Sequence, residues 1–337
     1  MTIKDIAKRS GVSVSTVSRV LNERPDVSDA IRQKVLAVVK ETGYIPNNSA
    51  RDLVRTRSEA IGVVTRGLGN LFFADMLRTI TRELDKNGMT MVLRQIDSDE
   101  DEIQAGAELE REKKLRGLIF LVGRFDYTPE ELRTINVPFV CCTYTNSFGT
   151  LEEGEYASVS IDDQKTAFDA VEHLIHCGHR EIAALVPHRN DRSISELRYN
   201  GYRAALFSND IPYSEVLVAE TGGGYDMDSA YRATVELLAR KVSFTALFTL
   251  SDTMAFAAMK ALWEHGVQVP DDCSVVAIDG LNMSEYFVPT LTTMVQPEEE
   301  LARESVALLM DTVLRGRGPR HITLTAALRP GGSVKNI

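Results

Sequence analysis

Long apolar runs are missing from this 337-residue chain. Nothing approaches the ~18 consecutive apolar residues that a membrane-spanning helix requires, so no span is expected. The opening stretch MTIKDIAKRS is charged throughout and has no apolar core, so it does not read as a secretory signal. Cysteine is scarce as well. Of the four, Cys141 and Cys142 are adjacent while Cys177 and Cys273 stand alone. That spacing supplies neither a disulfide framework nor a CxxC zinc half-site, and the expectation is reduced, buried thiols in a cytoplasmic protein. Enzyme signatures are also absent. Gly222-Gly223-Gly224 lacks the Lys-Ser/Thr that completes a phosphate loop. There is no G-x-S-x-G elbow, and no nucleophile–base constellation stands out. His173, His176 and His179 have suggestive spacing, but Gly178 breaks the helix before the third, so no metal and no cofactor are expected. Acid pairs such as Asp99 and Glu102 fall in a polar run, where a solvated face is the default. Aromatics make up only 7%, no internal repeat occurs, and the closing ALRPGGSVKNI has no leucine heptads.

What is present is an ordinary globular composition, 44% hydrophobic, at a length that fits two or three domains. The charge is uneven. Residues 1–58 hold eleven Lys+Arg and six Asp+Glu, a net of +5; the remainder holds 27 and 42, a net of −15, which together give the chain's −10. A small basic head on an acidic body points to a polyanion as the partner of the head alone.

The head reads as three helices. Thr2 caps the first, with Asp5 three residues on, and Ile3, Ile6 and Ala7 share its inner face. Gly11 permits a tight turn. Ser13 caps a second helix to about Leu21, with Val17, Val20 and Leu21 inward and Val14, Ser15, Ser18 and Arg19 outward. Ser28 caps a third, burying Ile31, Val35, Val38 and Val39 before Gly43 ends it. This is a helix-turn-helix pattern whose second helix enters a DNA major groove. There Arg19 suits guanine O6 and N7, and Val14 a thymine methyl.

The segment Pro46–Leu53 supports a helix of about two turns, too short to be stable alone. From Glu59 onward, strand-like runs (Ala60–Thr65, Thr90–Arg94, Gly117–Val122, Phe139–Cys142, Ile182–Val186, Ala246–Leu250, Ser274–Ile278) alternate with amphipathic helices such as Phe72–Asn87. That alternation predicts an α/β domain with parallel sheets in two lobes, with ligands at the carboxyl ends of the strands.

The spelling is more specific. TIKDIAKRSGVSVSTVSRVLN, SDAIRQKVLAVVKETGYIPN, GNLFFADML, DAVEHLIHCGHREIAAL, SDTMAFAAMKALWEHGVQVPDDCSVVAIDG and PTLTTMVQP resemble the lactose-repressor/galactose-repressor (LacI/GalR) family of bacterial transcription factors, across essentially the whole chain. The resemblance implies a helix-turn-helix head over 1–46, a hinge helix and linker over 47–58, and a two-lobed periplasmic-binding-protein-like domain over 59–337. Lobe one would be about 60–160 with 293–322, and lobe two about 162–291 with 323–337. It implies operator contacts by Thr2, Ser13, Val14, Ser15, Thr16, Ser18, Arg19 and Asn22, and by Asn47, Ala50, Arg51 and Leu53 of the hinge. Leu53 would be the wedge in the minor groove. It also implies effector contacts by Phe72, Phe73, Thr143, Arg192, Arg198, Tyr225, Ser251, Thr253 and Asp279.

The expected function is a DNA-binding repressor controlled by a small molecule, a sugar or sugar derivative. Thr143 stands where many sugar-responsive members of the family have aspartate. Arg192 near Arg198 leaves a nucleobase or an anionic metabolite, acting as co-repressor, as the alternative. A non-regulatory sugar-binding protein and an enzyme are the other classes. One helix-turn-helix unit reads too few bases for specificity, so a homodimer on a pseudo-palindromic duplex is expected.

Overall fold

The structure is a computed structural model, and it describes residues 1–21, 24–44, 58–66, 71–97, 100–121 and 123–337. The chain separates into two compact units, Met1–Ser58 and Glu59–Ile337.

The first unit contains α1 (Ile3–Ser10), α2 (Val14–Leu21) and α3 (Asp29–Thr42). Thr2 and Asp5 form the reciprocal capping box that opens α1, with the Thr2 amide 2.7 Å from Asp5 Oδ2. Gly11 closes α1 at φ 64°, a left-handed conformation that glycine adopts without penalty. The Thr16 amide donates to Ser13 Oγ at 3.1 Å, which starts α2 one turn later. Ser28 differs from expectation. It occupies the cap position of α3 but makes no side-chain cap bond; its contribution is the extended backbone, whose carbonyl accepts from Arg32 N. Ile6, Ala7, Val17, Val20 and Val35 are the buried centre. Ile31, Val38 and Val39 pack against it only partly buried, because a three-helix unit this small has too little volume to enclose more. Asn22 and the hinge positions Asn47, Ala50, Arg51 and Leu53 lie outside the described residues.

The second unit is built on two six-stranded sheets. The first comprises β1 (Ala60–Arg66), β2 (Thr90–Ile96), β3 (Gly117–Phe120), β4 (Phe139–Cys142), β5 (Ala157–Ile161) and β11 (His321–Leu324), ordered β11-β5-β4-β3-β1-β2 and parallel throughout. The second comprises β6 (Ile182–Val186), β7 (Val218–Glu220), β8 (Ala246–Thr249), β9 (Ser274–Asp279), β10 (Thr292–Val295) and β12 (Ala327–Arg329), ordered β12-β10-β9-β8-β6-β7. Only its edge pair β10–β12 is antiparallel. Strands β1, β3, β6, β8 and β9 are buried almost end to end, as parallel strands covered by helices on both faces must be.

Helices α4 (Phe72–Lys86), α5 (Glu102–Lys113), α6 (Pro129–Leu132) and α11 (Glu298–Arg315) belong to the first lobe; α7 (Asp163–His176), α8 (Ile194–Ser208), α9 (Met227–Ala239) and α10 (Asp252–Glu264) belong to the second. The chain therefore crosses between lobes after β5, after β10 and after β11. The resemblance puts the return to lobe one near residue 293, but β10 bonds to β9 in parallel register, Thr292 against Val276, so that return begins only at α11. Of the thiols, Cys177 is half-buried rather than buried. Among the described residues no helix is long and apolar enough to cross a membrane.

Candidate functional sites: a helix-turn-helix face and a buried charged cluster

In the head, the face of α2 that carries no core residue presents Ser13, Val14, Ser15 and Arg19 to solvent, while Thr16 and Ser18 are half-buried beside them and Thr2 is exposed at the start of α1. Ser13 Oγ lies 2.7 Å from Ser15 Oγ and 2.8 Å from Thr16 Oγ1, so the first turn of α2 is a cluster of hydroxyls. Arg19 is a full turn further along, with Nη1 3.3 Å from Asp26 Oδ2. Both partners are more than half exposed, so the pair is screened and readily exchanged for a stronger acceptor. An apolar tip, small hydroxyls and one exposed guanidinium on a single helix face are group types that can discriminate base edges. Arg19→Ala is expected to lose ~1–3 kcal/mol of discrimination at one symmetric position in each half-site. Binding to a set of single-base operator variants checks this; an equal loss on every sequence would mean that Arg19 touches phosphate alone.

The second lobe holds a buried charged cluster at the carboxyl ends of its strands. It is assembled by a close helix approach. A Cβ on Gly201 of α8 would lie 2.2 Å from the Gln164 carbonyl of α7, so only glycine lets these helices meet. That contact brings Arg198, on α8, against Asp163, the first residue of α7, with Nε donating to Oδ1 at 2.9 Å. Arg198 Nη1 donates to the Leu250 carbonyl at the end of β8, and lies 3.8 Å from Asp279 Oδ1 at the end of β9. Gln296, just past β10, donates from Nε2 to the same Asp279 oxygen at 2.8 Å. Asp279 stands at φ 136°, which L residues rarely adopt, and such strain recurs where a site must aim a group.

Burial governs the charges. It disfavours the Arg198 cation, but Asp163 and Asp279 raise its pKa above the ordinary value. Burial raises Asp163 as well, with Arg198 pulling it back. It pushes Asp279 up to about 8, opposed by Arg198 and reinforced by the neighbouring Asp252. Burial likewise pushes Asp252 up to about 7 and holds the Tyr225 hydroxyl well above its usual range. Within this cluster Asp163 Oδ2, Asp279 Oδ2, Gln296 Oε1 and the Tyr225 hydroxyl are buried with no hydrogen-bond partner among the described residues, and the Thr253 hydroxyl, in the first turn of α10, shares that state. Unsatisfied buried polar atoms are costly, and five such atoms in one lobe are groups that a polar ligand could satisfy. Gln296 Oε1 accepts only, as do Asp163 Oδ2 and Asp279 Oδ2 when ionised, so the ionised site suits a ligand that brings donors.

The expected effector residues divide clearly. Arg198 and Asp279 come together, with Tyr225 close enough to feel both charges. Thr253 keeps an unpartnered hydroxyl. Ser251 does not: its Oγ caps α10, accepting from Met254 N at 3.2 Å. Thr143, at φ 59°, donates its hydroxyl to the Leu121 carbonyl at 2.8 Å. Arg192 stands apart from the buried cluster, its side chain 66% exposed and 3.5 Å from Asp126 of the first lobe. Its carbonyl accepts from Phe125 N, so this stretch bridges the lobes. Phe72 and Phe73 are buried at the start of α4, edge to face at 5.7 Å, and pack in the core. Asp163, Asp252 and Gln296 were not among the expected residues. Asp163 follows β5, a strand whose alternating serines hide it, and Gln296 lies inside the quoted MVQP stretch.

Comparison with known proteins places these two features in context. Residues 2–47 match the family described as bacterial regulatory proteins, lacI family, and residues 171–334 match a periplasmic binding protein-like domain. The HTH-type transcriptional regulator MalR of Clostridium butyricum is 39% identical over 339 residues, covering 100% of both chains. A crystal structure of the lac repressor dimer bound to operator and the anti-inducer ONPF superposes with a TM-score of 0.80 at 26% identity, covering 99% of each chain. The transcriptional regulator CelR in complex with cellobiose gives 0.72 at 29% identity, again over 99% of each.

Proposed function

This chain belongs to the LacI family of bacterial regulatory proteins and is a DNA-binding transcriptional regulator, and from that premise we propose that it is a repressor whose hold on operator DNA is set by a sugar or sugar derivative bound at the Arg198–Asp279 cluster. The observation that carries the proposal is the set of buried oxygens, without a partner among the described residues, in the lobe that holds the Arg198 guanidinium. Vicinal hydroxyls donate to carboxylates and accept from a guanidinium at once, with charge-assisted bonds. An anionic ligand fits less well. Arg198 is already engaged by Asp163 and Asp279, and Arg192 faces Asp126 at the surface instead of adding positive charge to the cluster. The cellobiose bound by CelR supports the same chemical class.

The repressor is a homodimer on a pseudo-palindrome in this reading. Tyr286 and Val288, 85% and 96% exposed on the segment after Asp279, supply the apolar surface that a two-fold partner covers, and dimeric lac repressor supports the arrangement. Closing the lobes on the effector moves the ends of lobe one to which the hinges, with Leu53 as wedge, are joined. The sign depends on which state the effector binds better. A thermal-shift screen of neutral sugars, sugar phosphates and nucleobases tests the effector class. A neutral sugar is expected to stabilise the second unit, by ~2.7 kcal/mol at a hundredfold excess over Kd. Stabilisation by phosphates or nucleobases alone would replace the sugar with the anionic or nucleobase co-repressor.

A further inference from the structure

Several arginines of the second unit meet two acids each. Arg82 has Glu83 and Glu299, Arg124 has Asp126 and Glu131, and Arg189 has Glu215 and Glu220. At the end of α11 the ratio is reversed. Arg315, Arg317 and Arg320 converge on one carboxylate, that of Asp311.

Local sequence builds this cluster. Asp311 and Arg315 are four residues apart on α11, so they share a face, and Arg315 pairs with Asp311 Oδ1. Gly316 ends the helix at φ 65°, and the Arg317 amide folds back to donate to the Asp311 carbonyl at 3.3 Å. That turn brings the Arg317 guanidinium to Asp311 Oδ2 at 2.8 Å. Arg320, the last residue before β11, reaches the same oxygen at 2.7 Å. The Asp311 side chain is 11% exposed, while those of the three arginines are 55–64% exposed.

The charge does not close. Asp311, with the roughly half negative charge at the carboxyl end of α11, leaves a surplus of about +1.5 on a unit of net charge −15. Each guanidinium bonds Asp311 through a single nitrogen, which leaves donors for a further anion with several oxygens. Phosphate is an anion that the guanidinium fork fits. Acids on the same edge of the sheet do not occupy those donors. Glu59 pairs with Arg116 at 2.6 Å. Glu152, Glu153 and Glu155 precede β5, and among the described residues no ion pair joins them to the three arginines.

Position selects the partner. The first sheet is parallel throughout, so β1 and β11 begin on the same edge. The chain coming from the head enters the second unit at Glu59, next to the start of β1. In the order β11-β5-β4-β3-β1 the cluster lies four strand spacings away, or ~19 Å. The three arginines therefore stand on the edge of lobe one to which the DNA-binding head is covalently joined.

We infer that the Arg315–Arg317–Arg320 cluster is a second DNA contact, in which guanidiniums hold backbone phosphates of the duplex flanking the operator. The inference rests on the chain's DNA binding and not on the effector reading. One or two phosphates are too few for an acidic unit to hold DNA alone, so the contact forms only once the head is bound. It adds affinity without base specificity, because phosphate contacts position a protein without reading sequence.

The test compares two duplexes: a selected operator trimmed to the shortest length that binds, and the same operator with one further helical turn, about 10 base pairs, at each end. Affinity of the full chain is measured from about 50 to 200 mM salt for wild type and for Arg315→Gln/Arg317→Gln/Arg320→Gln. Wild type is expected to bind the longer duplex more tightly and with a steeper salt dependence. In the triple variant the extra steepness is expected to vanish. Its fall in affinity over that salt range on the longer duplex becomes ~3- to 12-fold smaller, the share of one to two phosphates. Binding to the shorter duplex is expected to stay at the wild-type level. Circular dichroism checks the fold, and Arg317→Gln alone, which leaves Asp311 paired with Arg315 and Arg320, is expected to remove part of the steepness. Equal salt dependence on both duplexes in wild type, undiminished steepness in the folded variants, or an equal loss on both duplexes would overturn the inference. Wild-type binding to the shorter duplex keeps the regulator reading standing whichever way the flanks behave.

Discussion

Arg198→Ala is expected to reduce effector affinity by roughly 30- to several-thousand-fold, the ~2–5 kcal/mol that truncating one partner of a buried, hydrogen-bonded charge pair costs. The size follows from what the substitution leaves behind. Arg198 donates to Asp163 and to the Leu250 carbonyl, and it is the near cation of Asp279. Removing it strands two carboxylates in a site that excludes water, and removes the donor that ligand oxygens would meet. Asp279→Ala is expected to fall in the same range for the complementary reason, since Arg198 loses a counter-charge and the ligand loses its acceptor. Neither residue lies in the head, so operator binding without effector should persist in both. If the effector is an inducer, Arg198→Ala gives a repressor that cannot be released; if it is a co-repressor, one that cannot be engaged. Calorimetry with the ligand found in the screen measures this, and wild-type affinity in both variants would put the effector site elsewhere.

Deleting residues 1–58 is expected to abolish DNA binding altogether and leave effector binding intact. Met1–Ser58 and Glu59–Ile337 are separate compact units with separate cores. The charge asymmetry gives the same division, +5 against −15. Each Lys or Arg that contacts phosphate releases counterions, and a protein making 6–10 such contacts loses ~10³–10⁵ in affinity between 50 and 200 mM salt. The full chain should show a steep salt dependence of this kind, and the truncated chain should show no binding whose salt dependence needs explaining. Operator affinity retained by residues 59–337 would contradict the assignment of the head.

How much of this was legible depended on the kind of force at work. The head was readable because Val17 and Val20 repeat at helical spacing, and because Thr2–Asp5 and Gly11 are local devices whose partners lie within a few residues. The central strands were readable as unbroken apolar runs. Strand β5, with Ser158 and Ser160 in it, β7 and β12 at three residues each, and the edge strand β11 were not, because their pairing is decided by neighbours far along the chain. Missing β5 hid Asp163 at its end. The meeting of Arg198 with Asp279 follows family resemblance and fold topology; no spacing encodes it. Thr143 and Ser251 show the opposite limit. Their residue types suit a ligand, but backbone geometry commits both hydroxyls to the protein itself, one to the Leu121 carbonyl and one to the cap of α10. Phe72 and Phe73 suit a cleft by type, yet packing claims them for the core.

The central claim is that the buried cluster and the head act on one another. The direct measurement is the affinity of the full chain for an operator selected from random duplexes, titrated with and without saturating effector, in wild type and in Arg198→Ala. The expected result is a shift of at least about tenfold in wild type, or ~1.4 kcal/mol of coupling, and no shift in the variant at the same effector concentration. An effector that binds the wild-type cluster by calorimetry and leaves operator affinity unchanged would contradict the account.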